Sequence, residues 1–177
     1  MAKAAPALIL DIDSSSVGAC ILDFADGPTI SHVIRVQVGT GETRDPKALI
    51  PFLKEALGGL IPNYAKLYPG LRTVSVVAAS PWFAASVKIL NTKAEKPVKV
   101  STSSITHMVS DYRTKAPTPG GQTVLEALPI TVEVNGYRTQ VKNSVHGKTL
   151  AVTYYESVTD TALHDMVRDT VHTSLAR

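Results

Sequence analysis

The chain opens on an apolar run, Ala7–Leu10, breaks into acids and hydroxyls at Asp11-Ile12-Asp13-Ser14-Ser15-Ser16, and turns apolar again at Val17–Leu22. Ala7–Ile12 and Val17–Phe24 each read as a strand, and the few polar residues between them predict an antiparallel hairpin. Asp26-Gly27-Pro28 is a turn. Thr29–Val38 places Ile30, His32, Ile34, Val36 and Val38 at every second position, so a third strand follows, with His32 an ordinary sheet residue rather than a ligand. Gly39-Thr40-Gly41 ends it. A phosphate loop needs further glycines and a helix directly behind it, so this Gly-x-Gly reads as a strand terminator. Asp45-Pro46 supplies an N-cap and a first helical residue, and Leu49, Ile50, Leu53, Ala56, Leu57 and Leu60 follow at helical spacing. Pro51 is expected to kink this helix or shift its start, Gly58-Gly59 to weaken its end, and Pro62–Tyr68 to form a short turn. Thr73–Ala79 is nearly all apolar, the pattern of a strand buried on both faces. A helix crossing between strands implies a parallel neighbour and an α/β architecture.

After Ser80-Pro81-Trp82 the texture changes. Phe83–Leu90 reads as a strand and Asn91–Val100, with Lys93, Lys96 and Lys99, as a lysine-bearing connection. Ser101–Arg113 opens on four Ser/Thr residues and carries Ile105, Met108, Val109 and Tyr112 on one face, which predicts a helix. Thr114–Gly121 is a Pro/Gly loop. Val124–Val134 and Tyr137–Gln140 flank Asn135-Gly136, the strongest short hairpin signal. Leu150–Ser157 closes a small strand–helix–strand–strand unit, and Thr159–Ala176 is a final helix with Leu163, Met166, Val167, Thr170, Val171 and Leu175 along one face. On another face His164, Arg168 and His172 lie four apart, but an arginine between two histidines repels a metal, so a solvated face is expected.

Of the 177 residues, 44% are hydrophobic and 19% charged, which suits one globular domain or a domain with an insertion and excludes a disordered chain. The net charge of +3 is too mild to point to nucleic acid by itself. Lys88, Lys93, Lys96 and Lys99 are diluted by Glu95, and aromatic residues at 6% leave few stacking platforms for bases. One cysteine, Cys20, rules out a disulfide framework and fits a reducing compartment. Lys3 has no long apolar stretch behind it, so neither signal peptide nor spanning helix is expected, and a cytoplasmic location follows. No Gly-x-Ser-x-Gly elbow is present, and His107 with Asp111 is the spacing of a helix-surface pair, so hydrolase chemistry has no support.

Three stretches resemble the FtsA/PilM group of actin-like proteins of cell division and type IV pilus assembly. Leu10–Val17 is similar to the group's first phosphate loop. Val124–Gly136, with Asn143–Val152 behind it, is similar to its strand–proline–strand–turn signature, Gly147 included. Val158–Val171 is similar to the helix that follows. The resemblance implies an actin-like (ribonuclease H-like) first subdomain over residues 1–81, resumed at 158–177. It also implies an inserted interaction subdomain over residues 82–157. It assigns phosphate and metal contacts to Asp11, Asp13, Ser14, Ser15 and Ser16. Asp13 stands where the group has glycine, and its charge beside a phosphate predicts that nucleotide binding is lost. The second phosphate loop and second lobe of the group have no counterpart here, so no cofactor is expected on this chain alone. ATP and Mg²⁺ would belong to a longer protein. The sheet would also lack its fifth strand, leaving Thr73–Ala79 an edge without charge or proline. That edge implies either a fragment or a partner that adds a strand. The expected function is therefore a non-catalytic scaffold that binds a protein partner or itself, with Trp82, Phe83 and Lys88 as partner-binding candidates. Trp82 and Phe83 packing the junction of subdomains is the competing reading, and an ATP-binding actin-like protein is the alternative function.

Overall fold

The computed structural model describes residues 5–25, 27–39, 45–116, 118–141 and 144–176. The expected turn residue Asp26, the Gly-x-Gly positions Thr40 and Gly41, Pro117 of the Pro/Gly loop and Asn143 of the second motif lie outside them. The fold is α/β, with two four-stranded sheets, the second formed by a segment inserted within the chain that forms the first. The chain divides into Met1–Phe83 with Asp160–Arg177, and Ala84–Thr159.

In the first unit, β1 (Ala7–Ile12) and β2 (Ser16–Asp23) form the expected hairpin, and β3 (Thr29–Gln37) continues it antiparallel. Helix α1 (Pro46–Leu67) then crosses to β4 (Thr73–Ala78), which runs parallel to β1 and gives the order β3-β2-β1-β4. Asp45 caps α1 by accepting from the Lys47 N–H at 3.0 Å. Neither proline ends the helix, and the expected turn at Pro62–Tyr68 is helical through Leu67. Each proline deletes one backbone hydrogen bond, but Leu49, Leu53, Leu57, Leu60 and Ile61 on one face are buried, and that packing holds the helix together. Leu8, Leu10 and Ile12 of β1 and Val17, Ala19 and Ile21 of β2 meet this face. Helix α3 (Thr161–Leu175), capped by Asp160, adds Leu163 and Val167 to the same core. β4 corrects the expectation of burial on both faces. It has one neighbour, β1, among the described residues. Only Val74 and Ala78 pack on the core, and Val76 and Val77 are exposed.

The join of β2 and β3 carries one extra residue on β3, between the pairs Ala19/Ile34 and Ile21/Ser31. His32 takes φ +50° there. The Tyr64 hydroxyl of α1 donates to the Ala19 carbonyl at 2.8 Å and also reaches the His32 carbonyl, while the His32 ring meets Tyr68 edge-on.

The second unit is a sheet of order β5 (Ala84–Val100), β8 (Val145–Asp160), β6 (Gln122–Val134) and β7 (Tyr137–Arg138), with helix α2 (Thr102–Lys115) on it. β5 is one strand where a strand and a connection were expected, and β8 is twice the predicted length. The two pair antiparallel from Ala84/Val158 to Val100/Val145, interrupted between Lys93 and Val98, where β5 carries three more residues than β8. Lysines keep their charges in solvent on a strand edge, so the run Lys93–Lys99 is compatible with pairing. β6 and β7 join through Asn135 and Gly136, both at positive φ, as such a turn requires. The Asn135 side chain accepts from the Lys148 and Thr149 N–H groups, pinning β8 against the turn. Gly147 lies so close to this corner that an added Cβ would stand 2.2 Å from Val134 Cγ1. Val134 is buried and stiff at χ1, so Gly147→Ala is expected to lower stability by about 1–2 kcal/mol, read as a drop in the urea midpoint; an unchanged midpoint would mean the corner is loose.

Candidate functional site

The turn between β1 and β2 gathers most of the candidate residues. Asp11 lies opposite Gly18 of β2, which lies opposite Arg35 of β3, so the three form one row across the sheet. Gly18 has no side chain, and Arg35 passes over it to pair with the Asp11 carboxylate and donate to Ser16 Oγ at 2.7 Å. A Cβ on Gly18 would stand 3.0 Å from the guanidinium, so the glycine is what admits the cation. Both charged side chains are close to half exposed, so the pair contributes at most about 1 kcal/mol. Its larger effect is chemical: it neutralises Asp11.

Asp13 turns inward on the loop itself. Its carboxylate accepts the Ser14 N–H at 2.7 Å, its N–H donates to the Ser16 carbonyl at 2.9 Å, and its carbonyl accepts the Trp82 indole N–H at 2.8 Å. The Ser15 carbonyl accepts the Val38 N–H at 2.7 Å. Ser16 is buried, whereas Ser14 and Ser15 are exposed.

Trp82 is 4% exposed and belongs to the first unit's core, so its indole packs and braces the turn and does not face a partner. Phe83 is exposed at 37%. Lys88 lies in the second unit. It donates to Glu156 Oε1 at 3.0 Å and stands 5.3 Å from the centre of the Tyr112 ring. The other Glu156 oxygen accepts the Tyr154 hydroxyl, and Arg113 Nε lies 3.8 Å from it. Tyr112 and Tyr154 meet edge to face at 6.0 Å. Burial pushes the Glu156 carboxyl up, but the Tyr154 and Lys88 hydrogen bonds and the charges of Lys88 and Arg113 outweigh it, leaving it below its usual range. The Glu156 hydrogen bond holds Lys88 above its ordinary value, and burial followed by the Glu156 contact drives Tyr154 upward.

On α3, His164 contacts Asp165, and Arg168 pairs with Asp165 and Asp169. No group of three metal-ligating side chains occurs among the described residues. No helix among them is long and apolar enough to cross a membrane.

The sequence reading missed Arg35, Glu156 and Tyr154. Arg35 had a signal: in a β2–β3 hairpin it falls on the Asp11 face, opposite a glycine. Glu156 had none, because Tyr154 two positions back on β8 gives no charge signal, and its charged partners Lys88 and Arg113 come from β5 and α2, far away in sequence.

No family model and no curated protein matches the sequence. Solved structures do align. One is a PilM-PilN type IV pilus biogenesis complex, at 16% identity and a TM-score of 0.49, over 95% of this chain and 44% of that one. Another is a protein of Bacteroides thetaiotaomicron with an actin-like ATPase fold and unknown function, at 10% identity and a TM-score of 0.40, over 93% and 48%. The chain thus spans less than half the length of these two structures. Likeness of this degree carries no functional conclusion.

Proposed function

We propose that this chain is a non-catalytic interaction module that binds another polypeptide or a second copy of itself, and that it holds no nucleotide alone. Type IV pilus assembly or cell division is the setting implied by its motif resemblance, with a cytoplasmic location and any membrane contact made through the partner. The observation that carries the reading is the inward bonding of the opening turn. A phosphate cradle needs backbone N–H groups aimed outward at the ligand. Here the Asp13 and Ser14 N–H groups are engaged within the turn, the second by a carboxylate that would oppose a phosphate. Asp11, the carboxylate suited to a metal, is engaged by Arg35. This donor set does not fit a magnesium-bound phosphate.

Exposed apolar side chains support a polypeptide partner: Val76 and Val77 on β4, Ile30 and Val33 on β3, and Val87 and Ile89 on β5. Nucleic acid is disfavoured because Lys88 is engaged by Glu156. One observation favours the second reading, an ATP site completed by another lobe: Ser14 and Ser15 are exposed near a half-exposed Arg35.

Titration calorimetry of Mg-ATP into the 177-residue chain separates the two. No saturable heat is expected up to about 1 mM nucleotide; a dissociation constant of order 1–10 μM would overturn the proposal.

A further inference from the structure

We propose that the groove between α2 and the bulged stretch of β5 docks a short acidic peptide segment bearing aliphatic side chains. This deepens the reading of the chain as an interaction module and rests on it. The groove measures about 490 Å³, within the range of specific ligand clefts, and lies wholly in the second unit. It exists because β5 leaves register with β8 between Lys93 and Val98 while α2 lies along the sheet. Its floor is aliphatic, built on Leu90, Val100 and Leu150, with Val98 exposed at 49%.

Its lining is cationic. Lys99 of β5, Lys115 of α2 and Lys148 of β8 surround the floor, three lysines from three elements. The one carboxylate in the lining, Asp111, is already 3.4 Å from His107. The wider surface has the same sign. Residues 84–159 hold nine Lys and Arg against five Asp and Glu, so the second unit carries more than the chain's whole formal charge of +3.

An aliphatic floor inside a lysine rim is complementary to a segment that alternates apolar and acidic side chains. The apolar groups leave water, and the carboxylates meet the lysines at the rim, where charge governs selectivity. A nucleic acid would find the charge but little on which to stack its bases: of the two rings in the lining, Tyr112 is half-buried against Tyr154 and His107 is held beside Asp111.

The test is fluorescence polarisation of the full chain with a labelled ten-residue peptide of alternating glutamate and leucine. Beside it go the same peptide with glutamine for glutamate and a labelled oligothymidylate. Saturable binding is expected, falling at least about tenfold with the glutamine peptide and at least about tenfold with Lys99→Gln/Lys148→Gln, and weakening as salt rises. Lys115→Gln, on the last turn of an exposed helix, is the second variant, should the paired substitution disturb the strands; it is expected to weaken binding about threefold. Absence of saturable binding, equal affinity for both peptides, insensitivity to all three lysines, or preference for oligothymidylate would each overturn the groove. Failure here with Mg-ATP still silent removes the groove and leaves the interaction reading. Micromolar ATP binding with the lysine-dependent peptide affinity intact overturns the claim that the chain holds no nucleotide alone and leaves the groove.

Discussion

Replacing Trp82 by alanine is expected to destabilise the first unit by about 3–5 kcal/mol, the largest single-residue effect expected here. The indole is almost fully buried among the residues that join β1, β2, α1 and α3, and its removal leaves a cavity that stiff strands cannot close. The loss has a second component. The indole N–H is bonded to the Asp13 carbonyl, and without it the turn must find water or rearrange. Trp82→Phe keeps most of the volume and removes the donor, so it should fall between wild type and alanine. Urea unfolding followed by far-UV circular dichroism reads all three. A loss under about 1 kcal/mol for the alanine variant would place the indole outside the core and restore it as a surface anchor.

Glu156→Ala should destabilise the second unit by about 2–3 kcal/mol, because it strands three partners at once. Lys88 loses its acceptor, the buried Tyr154 hydroxyl loses the carboxylate that accepts from it, and Arg113 loses its counter-charge. Lys88 keeps some access to water, which holds the figure below that of a fully buried pair. The pH dependence has a definite sign. The Glu156 carboxyl titrates lower folded than unfolded, so its contribution is present in full above the unfolded value near 4.5 and is lost as pH falls through the folded value. Glu156→Gln should flatten that part of the acid limb while keeping the side-chain volume. Stability curves between about pH 2.5 and 7 that superimpose for wild type and Glu156→Gln would refute the linkage.

The parts of the fold that were readable in the sequence are those fixed by neighbours along the chain. The β1–β2 hairpin follows from two apolar runs a few residues apart, α1 from an Asp-Pro start and a regular apolar stripe, and the β6–β7 turn from Asn135-Gly136. The long β5–β8 pair was not readable, because its register joins residues 45 to 74 positions apart, from Val100↔Val145 to Ala84↔Val158, and the lysines of β5 mimic a loop. Burial of β4 was overestimated for a related reason. Apolar composition reports what a strand tolerates, and the number of neighbours it has is a tertiary fact.

The opening turn was visible as a cluster of acids and serines, but not as the structure this cluster makes. Asp13 reads from sequence as a charge aimed at a ligand; in the fold it caps Ser14 and bonds to Trp82, 69 positions away. Trp82 likewise reads as a binding anchor by residue type alone, and burial reverses that inference.

The Tyr64 hydroxyl at the bulge of β2 and β3 has a consequence for how the first unit opens. One phenol from α1 serves main-chain carbonyls on two strands at the point where their ladder is broken, and burial keeps it protonated. The outer strand therefore cannot peel away at its weakest point while the helix stays docked without giving up its bond to the Tyr64 hydroxyl. Fraying at that edge is coupled to helix undocking, and a sheet margin exposed along its whole length is given the cooperativity of the core behind it.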